Sequence, residues 1–241
     1  GGLNVGDEYL GRGPLGHWRD THLRVRGPMV QALQRVFIAD WYWATRQIPD
    51  LEWGPVAAGD QIALIVPTGP ADALETCSMF FHQAVVGARR RLWIASPYFV
   101  PDLPVFEALQ LAALRGVDVR ILLPARPDHK LVYLASFSFL DAADRTGIQI
   151  YRYQSGFLHQ KVVLVDDEVA AVGTANLDNR SLRLNFEVMA LAVDRTFAGQ
   201  VAAMLERDFQ QARRTSAADL RDRSWFFRWA VRAARLFDPI L

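Results

Sequence analysis

Cysteine occurs once in the 241 residues, at Cys77, so no disulfide can close within the chain and no cysteine-rich metal site can be built. Apolar runs are short: none approaches the roughly 20 residues that cross a bilayer, and no signal peptide opens the chain. Net charge is scarce too. At +1 the chain offers no long-range attraction to a polyanion, which argues against nucleic acid as a partner. What the chain has in quantity is apolar surface, 51% of residues, enough for a sizeable core in one large or two small domains.

Against that background one cluster of polar residues stands out. His159-Gln160-Lys161 precedes the β-branched run Val162-Val163-Leu164-Val165, which reads as a buried strand ending at Asp166. His159 and Lys161, two positions apart on extended chain, project from one face. Beyond the turn Asp166-Asp167-Glu168 a second short strand leads into Gly173-Thr174-Ala175-Asn176. The hairpin brings a hydroxyl and an amide back toward the imidazole and ammonium. Such a set suits a phosphodiester: Lys161, Thr174 and Asn176 hold phosphate oxygens while imidazole attacks phosphorus or protonates the leaving alcohol. The scheme calls for no metal and no cofactor.

An imidazole in that role needs one tautomer, set by a carboxylate on its other ring nitrogen. Glu187 is the candidate, because an acid at the head of the apolar run 187–193 is out of place without a partner. A salt bridge from Glu187 to Arg180 or Arg183 is the plainer alternative. Asp166, at its strand's end, reads as a brace for the turn within the catalytic motif. His17, His22, His82 and His129 have no comparable setting and read as surface or structural. Arg89-Arg90-Arg91 reads as a solvated helix end.

These residues resemble the HKD signature of the phospholipase D superfamily: His-x-Lys, four residues, Asp, then Gly, a small residue, any residue, Asn. The spacing agrees at every position. The flanking text, Asn176-Leu-Asp-Asn-Arg-Ser-Leu-Arg-Leu-Asn-Phe-Glu187, Ser96-Pro-Tyr-Phe-Val-Pro101 and Trp18-Arg-Asp-Thr-His-Leu-Arg-Val-Arg-Gly-Pro28, is similar to bacterial cardiolipin synthases over nearly the whole chain. In that family two HKD halves pack about a pseudo-twofold axis, and one histidine from each flanks the phosphorus. By the same resemblance Gly1-Gly2-Leu3-Asn4 matches the tail of a first motif whose His-x-Lys lies upstream. Asn4 then becomes a phosphate-binding residue, and Asp20 the orienting acid for the missing first-motif histidine. Without the family, the opening is an ordinary Gly-rich loop. The absence of an initiating methionine fits a fragment or a processed chain.

Read along its length, the chain predicts a strand over 18–26 and a helix from Pro28 with Val30, Leu33, Phe37 and Trp41 on one face. Residues 1–50 are expected to be the remnant of the first half, 51–60 a Pro/Gly-bearing linker, 61–215 the second phospholipase D-like domain, and 216–241 an amphipathic basic-aromatic tail. Within 61–215 strands at 62–66, 92–95, 117–123, 148–153, the motif hairpin and 187–193 alternate with helices near 72–88, 103–114, 129–145 and 198–213. That alternation predicts an α/β sandwich, a mixed sheet flanked by helices, with the motif at a strand end. The tail interleaves aromatics with Arg228, Arg232 and Arg235; it suits either a membrane interface or closure of the core. Tyr98 and Phe99 could line a lipid groove or simply pack.

The resemblance implies phosphatidyl transfer. A histidine attacks one phosphatidylglycerol, glycerol leaves, and a hydroxyl of a second phosphatidylglycerol takes the phosphatidyl group to give cardiolipin. The upstream histidine is the nucleophile, and His159 the general acid and then base. Implied partners are phosphatidylglycerol and other phospholipids, a membrane surface, and an N-terminal half or a second copy supplying the other histidine, at the bacterial cytoplasmic membrane. The rival readings are a phospholipase D-type hydrolase or nuclease, with water as acceptor, and a catalytically incomplete membrane-binding module.

Overall fold

The computed structural model describes residues 1–241. Residues 1–61 contribute little regular structure: a 3-10 turn (Asp7–Leu10), a two-residue strand, β1 (Trp18–Arg19), and one α-helix, α1 (Met29–Thr45). Alternation then begins with β2 (Ile62–Thr68), α2 (Thr76–Gly87), β3 (Arg91–Ala95), β4 (Phe99–Val100), α3 (Leu103–Leu114) and β5 (Asp118–Pro124). It continues through α4 (Lys130–Ser136), α5 (Leu140–Thr146), β6 (Gln149–Tyr153), β7 (Phe157–Leu158), β8 (Val162–Val165), β9 (Val169–Gly173) and β10 (Leu177–Asp178). The chain closes with β11 (Glu187–Val193), α6 (Arg195–Gln210), β12 (Ala212–Thr215), α7 (Ala217–Arg221) and α8 (Trp225–Ala234).

Eight strands form one mixed sheet in the order β12-β6-β5-β3-β8-β9-β11-β2. Side-chain alternation explains the layers. Leu92 and Ile94 of β3 join Val119, Ile121, Val163 and Val165 in a core packed under α2, α3 and α5. Trp93 and Ala95 turn to the other face, where Leu122, Val162 and Leu164 meet Ala198, Val201 and Leu205 of α6. Central strands covered on both faces must be apolar throughout, which is why all four residues of β8 are buried.

Strand direction positions the site. β3, β5 and β6 run parallel, while β8 runs antiparallel to β3 with Ala95 opposite Val162. The start of β8 therefore lies at the same sheet end as the carboxyl ends of its parallel neighbours.

Several local expectations differ. Only Trp18–Arg19 of the 18–26 segment finds a strand partner, in β7; the rest is extended but unpaired. The α1 helix forms and touches the edge strand β2, yet it buries no residue. The expected 129–145 helix is broken into α4 and α5 by a 3-10 turn, where Ser136 and Ser138 hydroxyls donate back to the carbonyls of Tyr133 and Ala135. The last helix of the domain stops at Gln210, and Ala212–Thr215 instead pairs antiparallel with β6 at the sheet edge.

Candidate active site

The His159-Gln160-Lys161 triplet sits between β7 and β8. β1 runs parallel beside β7, pairing Trp18 with Phe157 and Arg19 with Leu158, and the next rung is a hydrogen bond from the His159 N–H to the Arg19 carbonyl, 2.8 Å. This register carries Asp20, the residue after Arg19, alongside the imidazole. Asp20 Oδ2 lies 2.9 Å from His159 Nδ1, and Asp20 Oδ1 accepts the Thr21 N–H at 2.7 Å. The carboxylate fixes the proton on Nδ1 and leaves Nε2 as acceptor, where Lys161 Nζ stands 2.9 Å away. Lys161 Nζ also donates to the His159 carbonyl at 2.7 Å.

Burial sets the electrostatics. It pushes the Lys161 ammonium down to about 8, against the opposing pull of Asp20, Glu187, Asp128 and Asp178. For Asp20 burial works upward, yet the His159 bond, the Thr21 N–H and the Lys161 charge outweigh it and hold the carboxyl below its usual range. Gly2 makes room for this packing. A Cβ there would lie 2.9 Å from both Asp20 carboxylate oxygens and 3.0 Å from the His159 carbonyl.

A second network clamps the N-terminal segment to the domain. Arg19 donates to both oxygens of Asp208 on α6, at 2.9 and 3.0 Å, and Gln160 Nε2 donates to the same carboxylate at 2.7 Å. Thr21 closes the ring by donating to Gln160 Oε1 at 3.0 Å. Gln160 alternates away from His159 and Lys161, so its fully buried amide needs these partners.

The other expected residues divide. Asn176 follows β9, whose Gly173 N–H donates to the Lys161 carbonyl at 3.1 Å; its Oδ1 is sealed from solvent and bonds to nothing in the protein. That oxygen is an acceptor and suits a ligand hydroxyl, while a phosphate oxygen can be held only by the Nδ2 of the same amide. Thr174 is different from expectation: its hydroxyl accepts the Val188 N–H at 2.9 Å and ties β9 to β11. Asn4 is exposed and its side chain bonds to nothing.

Two expectations are corrected. Glu187 does not hold His159. Its Oε1 accepts from Ser181 Oγ at 2.8 Å and Asn185 Nδ2 at 3.2 Å, and Arg183 pairs with Glu75 and Asp102 rather than with Glu187. The reason is sheet order: β9 lies between β8 and β11, which sets Glu187 two strands, roughly 10 Å, from Lys161. Asp20, expected to serve a histidine outside the chain, holds His159 instead. Asp166 is also distant from the cluster. It sits at the far end of β8 in the left-handed region, φ 53°, and its carboxylate accepts the N–H groups of Arg89, Arg90 and Arg91 at 3.1, 2.7 and 3.0 Å.

Three participants escaped the sequence reading. Tyr9 Oη lies 2.9 Å from the Gly2 carbonyl and 3.0 Å from both Asp20 Oδ2 and His159 Nδ1. The Trp18 ring packs 5.0 Å from the imidazole. Asp208 anchors the second network, and a buried Gln160 between two site residues was the one signal pointing to it.

Residues 82–211 match the family model described as cardiolipin synthase, PLD-like domain. Cardiolipin synthase A of Pseudomonas putida (strain GB-1) is 58% identical over all of this chain and 51% of its own length. That of Pseudomonas aeruginosa (strain LESB58) is 55% identical over all of the chain and 50% of its own length. The chain thus spans about half the length of these curated relatives. Among solved structures, phosphatidylserine synthase of Haemophilus influenzae Rd KW20 superposes with a TM-score of 0.61 at 18% identity, over 92% of this chain and 56% of that one. Nuc from Salmonella typhimurium, a phospholipase D family member, gives 0.56 at 18% identity over 65% of this chain and 99% of its own. These structures share the mixed sheet flanked by helices. With the family model covering more than half of its residues, the chain belongs to the phospholipase D-like cardiolipin synthase family.

Proposed function

We propose that this chain supplies one half of the catalytic centre of a phosphatidyltransferase that joins two phosphatidylglycerols into cardiolipin and glycerol. The observation that carries the reading is the relay Asp20–His159–Lys161, an imidazole locked in one tautomer with its free nitrogen beside a buried ammonium. Residues 1–50 are the end of a first half, 51–60 the linker, 61–215 the second half and 216–241 the tail. The first half brings the other histidine from upstream.

In this scheme the upstream histidine attacks phosphorus, forming a phosphohistidine as the bond to glycerol breaks. For the first step His159 carries a second proton, on Nε2, and gives it to the departing glycerol oxygen; the neutral imidazole then takes one from the hydroxyl of the incoming phosphatidylglycerol, which displaces the histidine. Asp20 stabilises the transient imidazolium. Lys161 and Asn176 hold the non-bridging oxygens where negative charge grows. Glu187 is left to orient the upstream histidine, so that each half lends its carboxylate to the other. The substrates put the site at a membrane surface. No helix is long and apolar enough to cross one.

The test is product analysis with phosphatidylglycerol vesicles and the protein extended upstream through a first His-x-Lys. Cardiolipin and glycerol should form in equal amounts, and His159→Ala should abolish both. Phosphatidic acid without cardiolipin would replace transfer by hydrolysis. Covalent phosphate trapped on His159 would reverse the two histidines' roles.

A further inference from the structure

The tail helix α8 has two apolar sides, and the domain uses only one. Its inner side closes the core: Phe227 meets Phe137 edge-on at 5.3 Å, and Val231 and Ala234 are buried. Trp225, Phe226 and Trp229 point outward at 73%, 62% and 58% exposure, with Phe226 and Trp229 stacked. Core closure therefore accounts for the inner residues and leaves three large aromatics unexplained. Leu236 and Ile240, in the 3-10 turn that follows, extend the exposed apolar strip.

Charge selects what covers this face. At 100° per residue, Arg228 and Arg232 both fall along one side of the two tryptophans, and neither is in an ion pair. The helix holds no acidic residue, and residues 221–241 carry five arginines against two aspartates in a chain whose net charge is only +1. Aromatic rings bordered by guanidinium groups without a carboxylate partner fit the boundary of an anionic bilayer, rings at headgroup depth and arginines on phosphates. Location agrees. α8 rests on α4, which follows the carboxyl end of β5, at the sheet end where His159 and Lys161 lie. The N-terminal segment reaches that same end along β7 and β2, leaving the outer face of α8 exposed.

We propose that the outer face of α8, Trp225, Phe226 and Trp229 rimmed by Arg228 and Arg232, docks on an anionic lipid surface and holds the catalytic end of the sheet against it. This deepens the phospholipid reading of the site and rests on it for its purpose, while the docking itself is measurable without turnover.

The experiment is co-sedimentation of the chain with vesicles of phosphatidylcholine containing phosphatidylglycerol, and with phosphatidylcholine alone. Joint replacement Trp225→Ala, Phe226→Ala and Trp229→Ala should lower partitioning about tenfold or more, since interfacial binding scales with inserted apolar area. Arg228→Gln with Arg232→Gln should cost about tenfold on the anionic vesicles and little on the neutral ones. His159→Ala should bind as the parent does; in the protein extended upstream, vesicle binding without transfer would sink the functional reading alone, and transfer without vesicle binding through α8 would sink the docking alone. Unchanged binding by the aromatic variant would overturn the proposal. So would a parent chain that ignores vesicles, or an aromatic variant whose sole change is loss of self-association. If the aromatic variant melts early, the arginine pair, fully on the surface, decides the question.

Discussion

Asp20 and His159 are 139 positions apart in the chain, and their side chains meet at 2.9 Å. The contact is made by a rung of parallel strand, because β1 beside β7 delivers Asp20 to the imidazole. The acid that steers this histidine thus comes from outside the hairpin that bears it.

Replacing Asp20 by asparagine preserves shape but removes the charge that selects the Nδ1–H tautomer. In the complete enzyme kcat should fall by about 10³ to 10⁴, the scale seen when a buried orienting aspartate is amidated, with KM little changed. Steady-state kinetics on phosphatidylglycerol vesicles provide the check. Activity within a factor of a few of the parent would remove Asp20 from the relay.

Lys161 predicts a pH effect with a definite sign. An ammonium titrating at about 8 is lost as pH rises through that value, so transfer activity should fall above it. Stability moves the opposite way. Between about 8 and the usual 10.5 the unfolded chain holds a proton that the folded chain has released, so folding gains as pH rises across that window. The gain is at most roughly 3.5 kcal/mol, from about 1.4 kcal/mol per pKa unit. Urea midpoints from pH 7 to 10.5 should climb for the parent and stay flat, relative to it, for Lys161→Met. Parallel curves for the two proteins would contradict the assignment.

The buried Arg19–Asp208 pair predicts a purely structural loss. Asp208→Asn leaves a half-satisfied guanidinium and disturbs Gln160, which should cost about 3 kcal/mol. In a domain of this size that lowers Tm by roughly 6 to 12 °C. Hydrogen exchange at the His159 amide, which bonds to the Arg19 carbonyl, should speed up in parallel. A Tm unchanged within error would show that β1 is held by its backbone alone.

The site was legible where chemistry is local and hidden where it depends on crossing chains. His159 and Lys161 announce themselves by spacing on a strand whose apolar residues need no other explanation. The pairing of acids with histidines did not. Asp20 and Glu187 each head an extended segment, and only the order β8-β9-β11 with β1 beside β7 decides which lies within reach. Thr174 shows another limit, since a hydroxyl beside a glycine suits a ligand or a neighbouring N–H equally, and Val188 took it. Main-chain elements followed the same rule. The apolar strands were clear, whereas Ala212–Thr215, with two arginines in four residues, joins the sheet through its backbone and carries no hydrophobic signature.

Between Lys161 and Asp166 stand four buried residues, all Val or Leu, that could exchange faces at little cost in packing. The ends could not. Lys161 must emerge toward His159, while Asp166 must turn, in left-handed conformation, beneath the three amides of residues 89–91, and the four residues of β8 set the distance between them. One residue added to or removed from β8 would misdirect one of them. β8 is therefore a spacer of fixed length, in which one apolar letter can replace another at less cost than a change in their number.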